Sequence, residues 1–273
     1  MGSGIAEVAA RAGLDVVVHE IDAATAEAAL ERIEKSLGRA LEREKITEDE
    51  KEAVLEKITV TTDLSAQADR QVVIEAATEN EELKKQIFSD LDEIVTDPDA
   101  ILASNTSSIP ITRLASATNR PGQVVGLHFF NPVPVMGLVE MVTTILSDAA
   151  VEGRAQSFAE SLGKTVIRAK DRAGFVVNML LIPYLLGAIR MFEAGVATAE
   201  DIDTAMRLGA NHPMGPLELT DFVGLDTTKY VADVLFDEFK EPMYASPPLL
   251  TRMVEAGLHG RKTGEGFYTY PGS

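Results

Sequence analysis

Four histidines occur in the chain, at positions 19, 128, 212 and 259. Only His128 ends an apolar, β-branched run, Val124-Val125-Gly126-Leu127, and its exit is aromatic, Phe129-Phe130. Open α/β sheets bind ligands at the carboxyl ends of their strands. An imidazole placed there titrates near neutral pH and can take a proton from a hydroxyl or return one to a carbonyl. Glu140 follows after Asn131-Pro132-Val133-Pro134 has turned the chain. A carboxylate against the ring would fix its tautomer and favour the protonated form. Without further context, a structural histidine and a surface glutamate are the commoner outcome for such a pair. His19 lies beside an acid, His212 in a Pro/Gly-rich turn and His259 near the C-terminus. These three read as structural or surface residues.

A second chemistry is written at the start of the chain. Met1-Gly2-Ser3-Gly4 leads into an apolar helical stretch, then Gly13, then the run Val16–Val18, closed two residues later by the acid Glu20. This is the pattern of the second half of a dinucleotide-binding unit. There, glycines let the backbone approach a pyrophosphate and an acid about 20 residues on holds the ribose hydroxyls. Gly2 would be the last glycine of that fingerprint. The strand and first glycines would then lie upstream of Met1, so the first βα unit is expected to lack its first strand. On that expectation a form extended upstream by roughly 15 residues binds the dinucleotide more tightly and melts higher. A flexible start and a solvated strand end remain the plainer alternative for Gly2, Gly4 and Glu20.

The elements that must carry these residues follow from hydrophobic texture. Val16–Val18, Ile58–Thr61, Val72–Ile74, Ile101–Ala103, Val124–Leu127 and Thr165–Ile167 are short β-rich runs. Helix-like stretches such as Ala23–Arg43 and Glu81–Ile94 separate them. Runs apolar throughout predict strands buried on both faces, hence a parallel sheet covered by helices. From about Ala173 the texture becomes helical, with the long apolar stretch Val176–Ala194 and helical spacing over Thr198–Leu208 and Asp226–Phe239. Thr198 suits an N-cap. The change lies near residues 168–173 and predicts two domains, 1–170 and 171–273, joined by the short polar link Lys170-Asp171-Arg172. A helical domain this apolar and only about 100 residues long is expected to hide surface against another chain.

Composition narrows the function classes. The 273 residues hold 43 acids against 25 bases, a net charge of −18. Such a surface repels nucleic acid and anionic lipid, and no block of Lys/Arg offsets it. With no cysteine there is no thiolate nucleophile or Cys-based metal site, which suits a reducing cytoplasm. The acids and histidines are not at metal-ligand spacing, so no metal is expected. No apolar run reaches the roughly 18 residues of a membrane helix.

Further blocks recur through the chain. They are Ser104-Asn105-Thr106-Ser107-Ser108, Gly126-Leu127-His128-Phe129-Phe130-Asn131-Pro132, Val139-Glu140, Gly174-Phe175-Val176-Val177-Asn178 and Lys262-Thr263-Gly264-Glu265-Gly266-Phe267-Tyr268. In this order they resemble the 3-hydroxyacyl-CoA dehydrogenases, most closely the bacterial 3-hydroxybutyryl-CoA branch, over essentially the whole length. The resemblance implies a Rossmann-type NAD domain followed by an all-helical domain that mediates homodimerisation. It implies NAD-dependent interconversion of a 3-hydroxyacyl-CoA and its 3-keto form in fatty acid metabolism, with short acyl chains favoured.

The family pattern places His128, Glu140, Ser107 and Asn178 in catalysis. It places Glu20, Glu79, Lys84, Ser107, Asn131 and Lys262 at the cofactor, together with the Gly2 read from the glycine fingerprint. Ser36 and Arg43 fall on the CoA positions, and Ser107 and Asn178 also meet the substrate. Where the family often has Asp the chain has Glu20, which keeps the acid. Where it more often has Lys the chain has Arg43, and Lys45 competes for that role. Other uses stay open for some of these residues. Ser107 could cap a helix start at Ser-Ser-Ile-Pro, Asn178 could be a buried hydrogen-bonding amide, and Lys84 could lie on a solvated face in i,i+3 pairs with the acids before it. Two rival functions also remain: a dehydrogenase of a free hydroxyacid, and a non-catalytic CoA-binding or structural relative.

Overall fold

The computed structural model describes residues 1–270, and the chain divides into two compact units, Met1–Arg172 and Ala173–Ser273. The first unit runs α1 (Gly2–Arg11), β1 (Val16–His19), α2 (Ala23–Glu42), α3 (Glu48–Glu56), β2 (Ile58–Thr61), β3 (Val72–Glu75), α4 (Glu81–Ile94), β4 (Ile101–Ser104), α5 (Ile111–Ala115), β5 (Val124–Phe129), β6 (Leu138–Thr143), α6 (Ala149–Ser161) and β7 (Thr165–Lys170). Helix starts follow their capping residues. Asp22 accepts from the Thr25 amide at 2.7 Å, Asn80 from Leu83 at 2.9 Å, and Thr47 with Glu50 forms a reciprocal capping box.

The strands form a Rossmann-like α/β layer in two pieces. β1 pairs β2 in parallel, and a five-stranded sheet has the order β3-β4-β5-β6-β7. β1 and β3 are not paired with each other. Instead α1 spans the junction. Its Ile5, Val8 and Ala9 pack into the core of the larger sheet with Ile101, Val125 and Leu127. Its Ala6 and Ala10 face Ile33 and Leu37 of α2.

The expected parallel sheet needs one correction. β5 and β6 run antiparallel, because the Asn131–Pro134 turn sends the chain straight back beside its own strand, and β7 then runs parallel to β6. A helical crossover is needed only between parallel neighbours. Gly126 makes the close approach possible. A Cβ there would stand 2.8 Å from Val142 on β6 and 3.0 Å from Ile111 on α5.

The second unit contains α7 (Val177–Glu193), α8 (Ala199–Gly209), α9 (Pro216–Val223), α10 (Leu225–Phe239) and α11 (Pro248–Glu255). Thr198 caps α8 through the Asp201 amide at 3.1 Å. Two buried aspartates stitch this unit together. Asp203 accepts from the Leu217 and Glu218 amides at the start of α9 and from the Tyr268 hydroxyl. Asp221 accepts from the Phe267 and Tyr268 amides and the Tyr270 hydroxyl. Burial, with Asp221 alongside, pushes the Tyr270 phenol up to about 12. A Cβ on Gly266 would overlap the Asp221 carboxylate, so the Gly-rich block near the C-terminus is shaped by packing. Among the described residues no helix is long and apolar enough to cross a membrane, and no group of three acids and histidines is arranged to hold a metal ion.

Candidate active site

The antiparallel register places His128 directly opposite Glu140. Opposed residues on neighbouring strands project to the same face. The His128 Nδ1 and Glu140 Oε2 are 2.7 Å apart. Glu140 is fully buried and His128 is 6% exposed. The Phe130 ring lies 4.6 Å from the imidazole, centroid to centroid. With Nδ1 held by a carboxylate, proton exchange with a ligand is directed to Nε2. The same carboxylate stabilises the imidazolium formed when a proton is taken, in a dry environment where that interaction is strong. The pair is thus built for general acid–base work.

Two side chains fix what surrounds it. The Asn105 Oδ1 accepts from the Phe129 amide at 2.9 Å, tying the exit of β4 to the end of β5. The ammonium of Lys164 donates to the Val133 carbonyl at 2.6 Å and the Met136 carbonyl at 2.9 Å, pinning the loop that carries Asn131. Burial, with Arg11 nearby, pushes the Lys164 pKa down. Asn131 itself is exposed at the head of that loop.

A second polar cluster sits at the carboxyl ends of β3 and β4. Glu75, the last residue of β3, is 5% exposed, and it accepts from Lys84 Nζ at 2.6 Å and from Ser104 Oγ at 2.6 Å. The Ser104 hydroxyl oxygen accepts from the Thr106 amide at 3.1 Å. Glu79 accepts from the Thr106 hydroxyl at 3.0 Å, the Ser107 amide at 2.8 Å and the Ser107 hydroxyl at 3.3 Å. Lys84 Nζ is also 3.5 Å from Glu79. Glu79 and Ser107 are thereby brought together at the rim, with Glu75 and Lys84 behind them.

Two of the plainer alternatives fall away here. Lys84 does not pair with Glu81 on a solvated face. It turns inward at 1% exposure, and Lys85 takes Glu81 and Glu82 instead. Ser107 does not cap the following helix. Asp171 does, accepting from the Ile111 and Thr112 amides at 2.7 Å each, so the polar link read at 170–172 has a structural task.

The remaining expected positions fall as follows. Gly2 opens α1 beside the end of β3, where a Cβ would meet Ala76 at an ordinary 3.8 Å. Gly4 is the tighter position, since its Cβ would stand 3.0 Å from Val133. The first turn of α1 has no side-chain cap and no acid, so its amides are available to an anion. Glu20 follows β1, half-buried, with its amide bonded to the Thr61 carbonyl. Ser36 and Arg43 lie two turns apart on one side of α2 and its C-cap. These features fit a dinucleotide laid across the sheet edge: an open helix N-terminus, a crowded glycine and an acid after the next strand.

In the second unit, Asn178 is half-buried in the first turn of α7, not the fully buried amide considered from sequence, because it lies at the helix entrance. Lys262 is 44% exposed and ion-paired with Asp226. Sequence reasoning missed Glu75, Asn105, Lys164 and Asp171 as site builders. Of these Glu75 carried a readable cue, an acid closing an otherwise apolar strand.

Comparison with known proteins meets this geometry. Residues 1–172 match the family model for the 3-hydroxyacyl-CoA dehydrogenase NAD binding domain, and residues 174–270 match the model for the C-terminal domain of the same enzymes. A 3-hydroxybutyryl-CoA dehydrogenase of Mycobacterium tuberculosis is 60% identical over 271 residues, covering 99% of this chain and 95% of that protein. The mitochondrial hydroxyacyl-coenzyme A dehydrogenase of Homo sapiens is 43% identical, covering 99% and 88%. The crystal structure of M. tuberculosis FadB2 superimposes with a TM-score of 0.98 at 60% identity, covering 99% of this chain and 95% of that one. The (S)-3-hydroxybutyryl-CoA dehydrogenase PaaH1 of Ralstonia eutropha gives 0.94 at 43% identity, covering 99% and 95%. On both units and over nearly its full length, the chain belongs to the 3-hydroxyacyl-CoA dehydrogenase family.

Proposed function

We propose that this chain interconverts a 3-hydroxyacyl-CoA and the 3-ketoacyl-CoA with NAD, and that short acyl chains such as 3-hydroxybutyryl are its substrates. The observation that carries the reading is the buried His128–Glu140 pair, 2.7 Å apart at the carboxyl end of a central strand. When bound, NAD would accept the hydride that leaves the substrate's C3 as the hydroxyl becomes a carbonyl, and NADH would return it in the reverse direction. The α1 N-terminus, Gly2, Glu20, Glu79, Ser107 and Asn131 are the residues to hold it, with Lys262 in the second unit. Lys84 supports Glu79 from behind.

In the oxidising direction His128 takes the substrate hydroxyl proton at Nε2, and Glu140 stabilises the resulting imidazolium. In the reducing direction the imidazolium returns that proton to the carbonyl oxygen. The Ser107 hydroxyl, aligned by Glu79, hydrogen-bonds the substrate oxygen, and the Asn178 amide orients the thioester. Ser36 and Arg43 take the CoA moiety, Arg43 through its phosphates.

Leu180 and Met191, three turns apart on α7, are 72% and 45% exposed. They support a homodimer formed through the helical unit. The cysteine-free composition supports a cytoplasmic setting, and a role in fatty acid breakdown or butanoate metabolism fits the substrate class.

The test is oxidation of NADH by the purified protein with acetoacetyl-CoA. Turnover that requires the CoA thioester is expected. Reduction of free acetoacetate at equal efficiency, or no turnover with either, overturns the reading. NADH should be preferred to NADPH, because the Glu20 carboxylate suits two ribose hydroxyls and repels a 2′-phosphate. Equal use of the two cofactors would remove Glu20 from the ribose.

A further inference from the structure

Glu75 has no role in the reaction as derived above, yet it is a buried carboxylate near the site with three hydrogen-bond donors. It receives the Lys84 ammonium at 2.6 Å, the Ser104 hydroxyl at 2.6 Å and the Ala77 amide at 2.5 Å. Both Glu75 and Lys84 side chains are 1% exposed. Lys84 has a second acid within reach, Glu79 at 3.5 Å. Glu79 is committed elsewhere, to the amide and hydroxyl of Ser107 and the hydroxyl of Thr106.

A buried ammonium must be paired, so it draws on whatever carboxylate is nearest. Two acids therefore share one lysine, and their division of labour is set by distance. Glu75 holds the charge, which leaves Glu79 on the Ser107 turn. Glu75 also steadies that turn from the other side, through Ser104 to the Thr106 amide.

We propose that Glu75 is a positioning residue: by satisfying Lys84 and Ser104 it keeps the Glu79 carboxylate on Ser107, and so sets the Ser107 hydroxyl for cofactor and substrate. This rests on the reading of Ser107 given above. Without the Glu75 charge, Lys84 recruits Glu79, and the Ser107 amide and hydroxyl lose their acceptor. No proton or electron passes through Glu75 itself.

The test compares Glu75→Gln, Glu75→Asp and Ser104→Ala with the unaltered protein. For each, NADH affinity by fluorescence, KM and kcat with acetoacetyl-CoA, the pH–rate profile and the melting temperature are measured. Glu75→Gln keeps the shape and an acceptor for Ser104 but removes the charge. It should weaken NADH binding and raise KM roughly tenfold, with a smaller loss in kcat and no movement of the pH–rate midpoint, since His128 and Glu140 are untouched. Glu75→Asp keeps the charge and should recover most of the affinity. Ser104→Ala, a small change that should fold, is expected to shift affinity in the same direction by about threefold.

A lower melting temperature with unchanged affinity and KM in all three variants would mean a purely structural residue and would overturn the proposal. So would Glu75→Asp behaving no better than Glu75→Gln, or a shifted pH–rate midpoint. His128→Gln separates this from the parent reading. If that variant loses turnover while the Glu75 and Ser104 variants keep normal affinity and KM, only the positioning role fails. If it keeps turnover, the reaction assignment fails first.

Discussion

The first unit handles buried charge in two ways within the same sheet. The His128–Glu140 pair is aligned by main chain. Its members sit opposite each other in an antiparallel ladder, and the 2.7 Å contact follows from strand register. The Glu75–Lys84–Glu79–Ser107 cluster is aligned by side chains. Its members come from a strand end, a helix and two loops, and they are held by hydrogen bonds and ion pairs to one another and to nearby main chain. The difference teaches where each kind of precision is affordable. On the proposed roles, the group that moves a proton is set by the stiffest part of the fold, whereas the groups that grip a ligand lean on a network that one substitution can rearrange.

That contrast yields an ordered set of outcomes. The largest should come from His128→Gln, which removes the base and should lower kcat by at least about 10²-fold while NADH affinity stays near normal in a titration. Near-normal turnover would break the assignment of the strand pair to chemistry. Glu140→Gln should follow, lowering kcat by about tenfold, or about 1.4 kcal/mol of barrier. Unchanged turnover would show that Glu140 is only packing.

Ser107→Ala should produce a smaller effect of the opposite kind, a roughly fivefold rise in KM from one lost hydrogen bond of about 1 kcal/mol, with the pH profile unmoved. A collapse of kcat equal to that of His128→Gln would erase the distinction between the two regions. Smallest of all should be the interaction between them. Glu140→Gln combined with Ser107→Ala should give multiplied effects to within about 0.5 kcal/mol, read as kcat/KM of the double variant. A large departure would show that Asn105, which bridges β4 to the Phe129 amide, couples the regions.

Much of this is legible in the sequence. The β-rich runs became strands, since short apolar β-branched stretches between Gly- and Pro-bearing turns have few other ways to bury themselves. His128 stood out because a titratable ring closing an apolar run is unusual. The reversal of β6 was not legible. Leu138–Thr143 is apolar enough for either direction, and only the short Asn131–Pro134 turn hinted at a return path. The pairing of Lys84 with Glu75 is not legible in the sequence, because periodicity gives the face of a helix but not which neighbour has an acid waiting. The capping role of Asp171 is not legible, because a cap supplied from sixty residues away, from Asp171 to Ile111, leaves no local pattern.

The strand register of the His128–Glu140 pair also has a consequence in time. Neighbouring strands in a buried sheet separate only when a large cooperative piece of the fold opens, whereas turns open by themselves. The amides of β5 and β6 should therefore exchange with solvent deuterium on the slow, globally limited timescale, and the amides around Ser107 far sooner. On gentle heating, the protein should lose its grip on dinucleotide while the acid–base machinery is still assembled. Dinucleotide binding is then the first function to fail, and the His128–Glu140 geometry outlasts it.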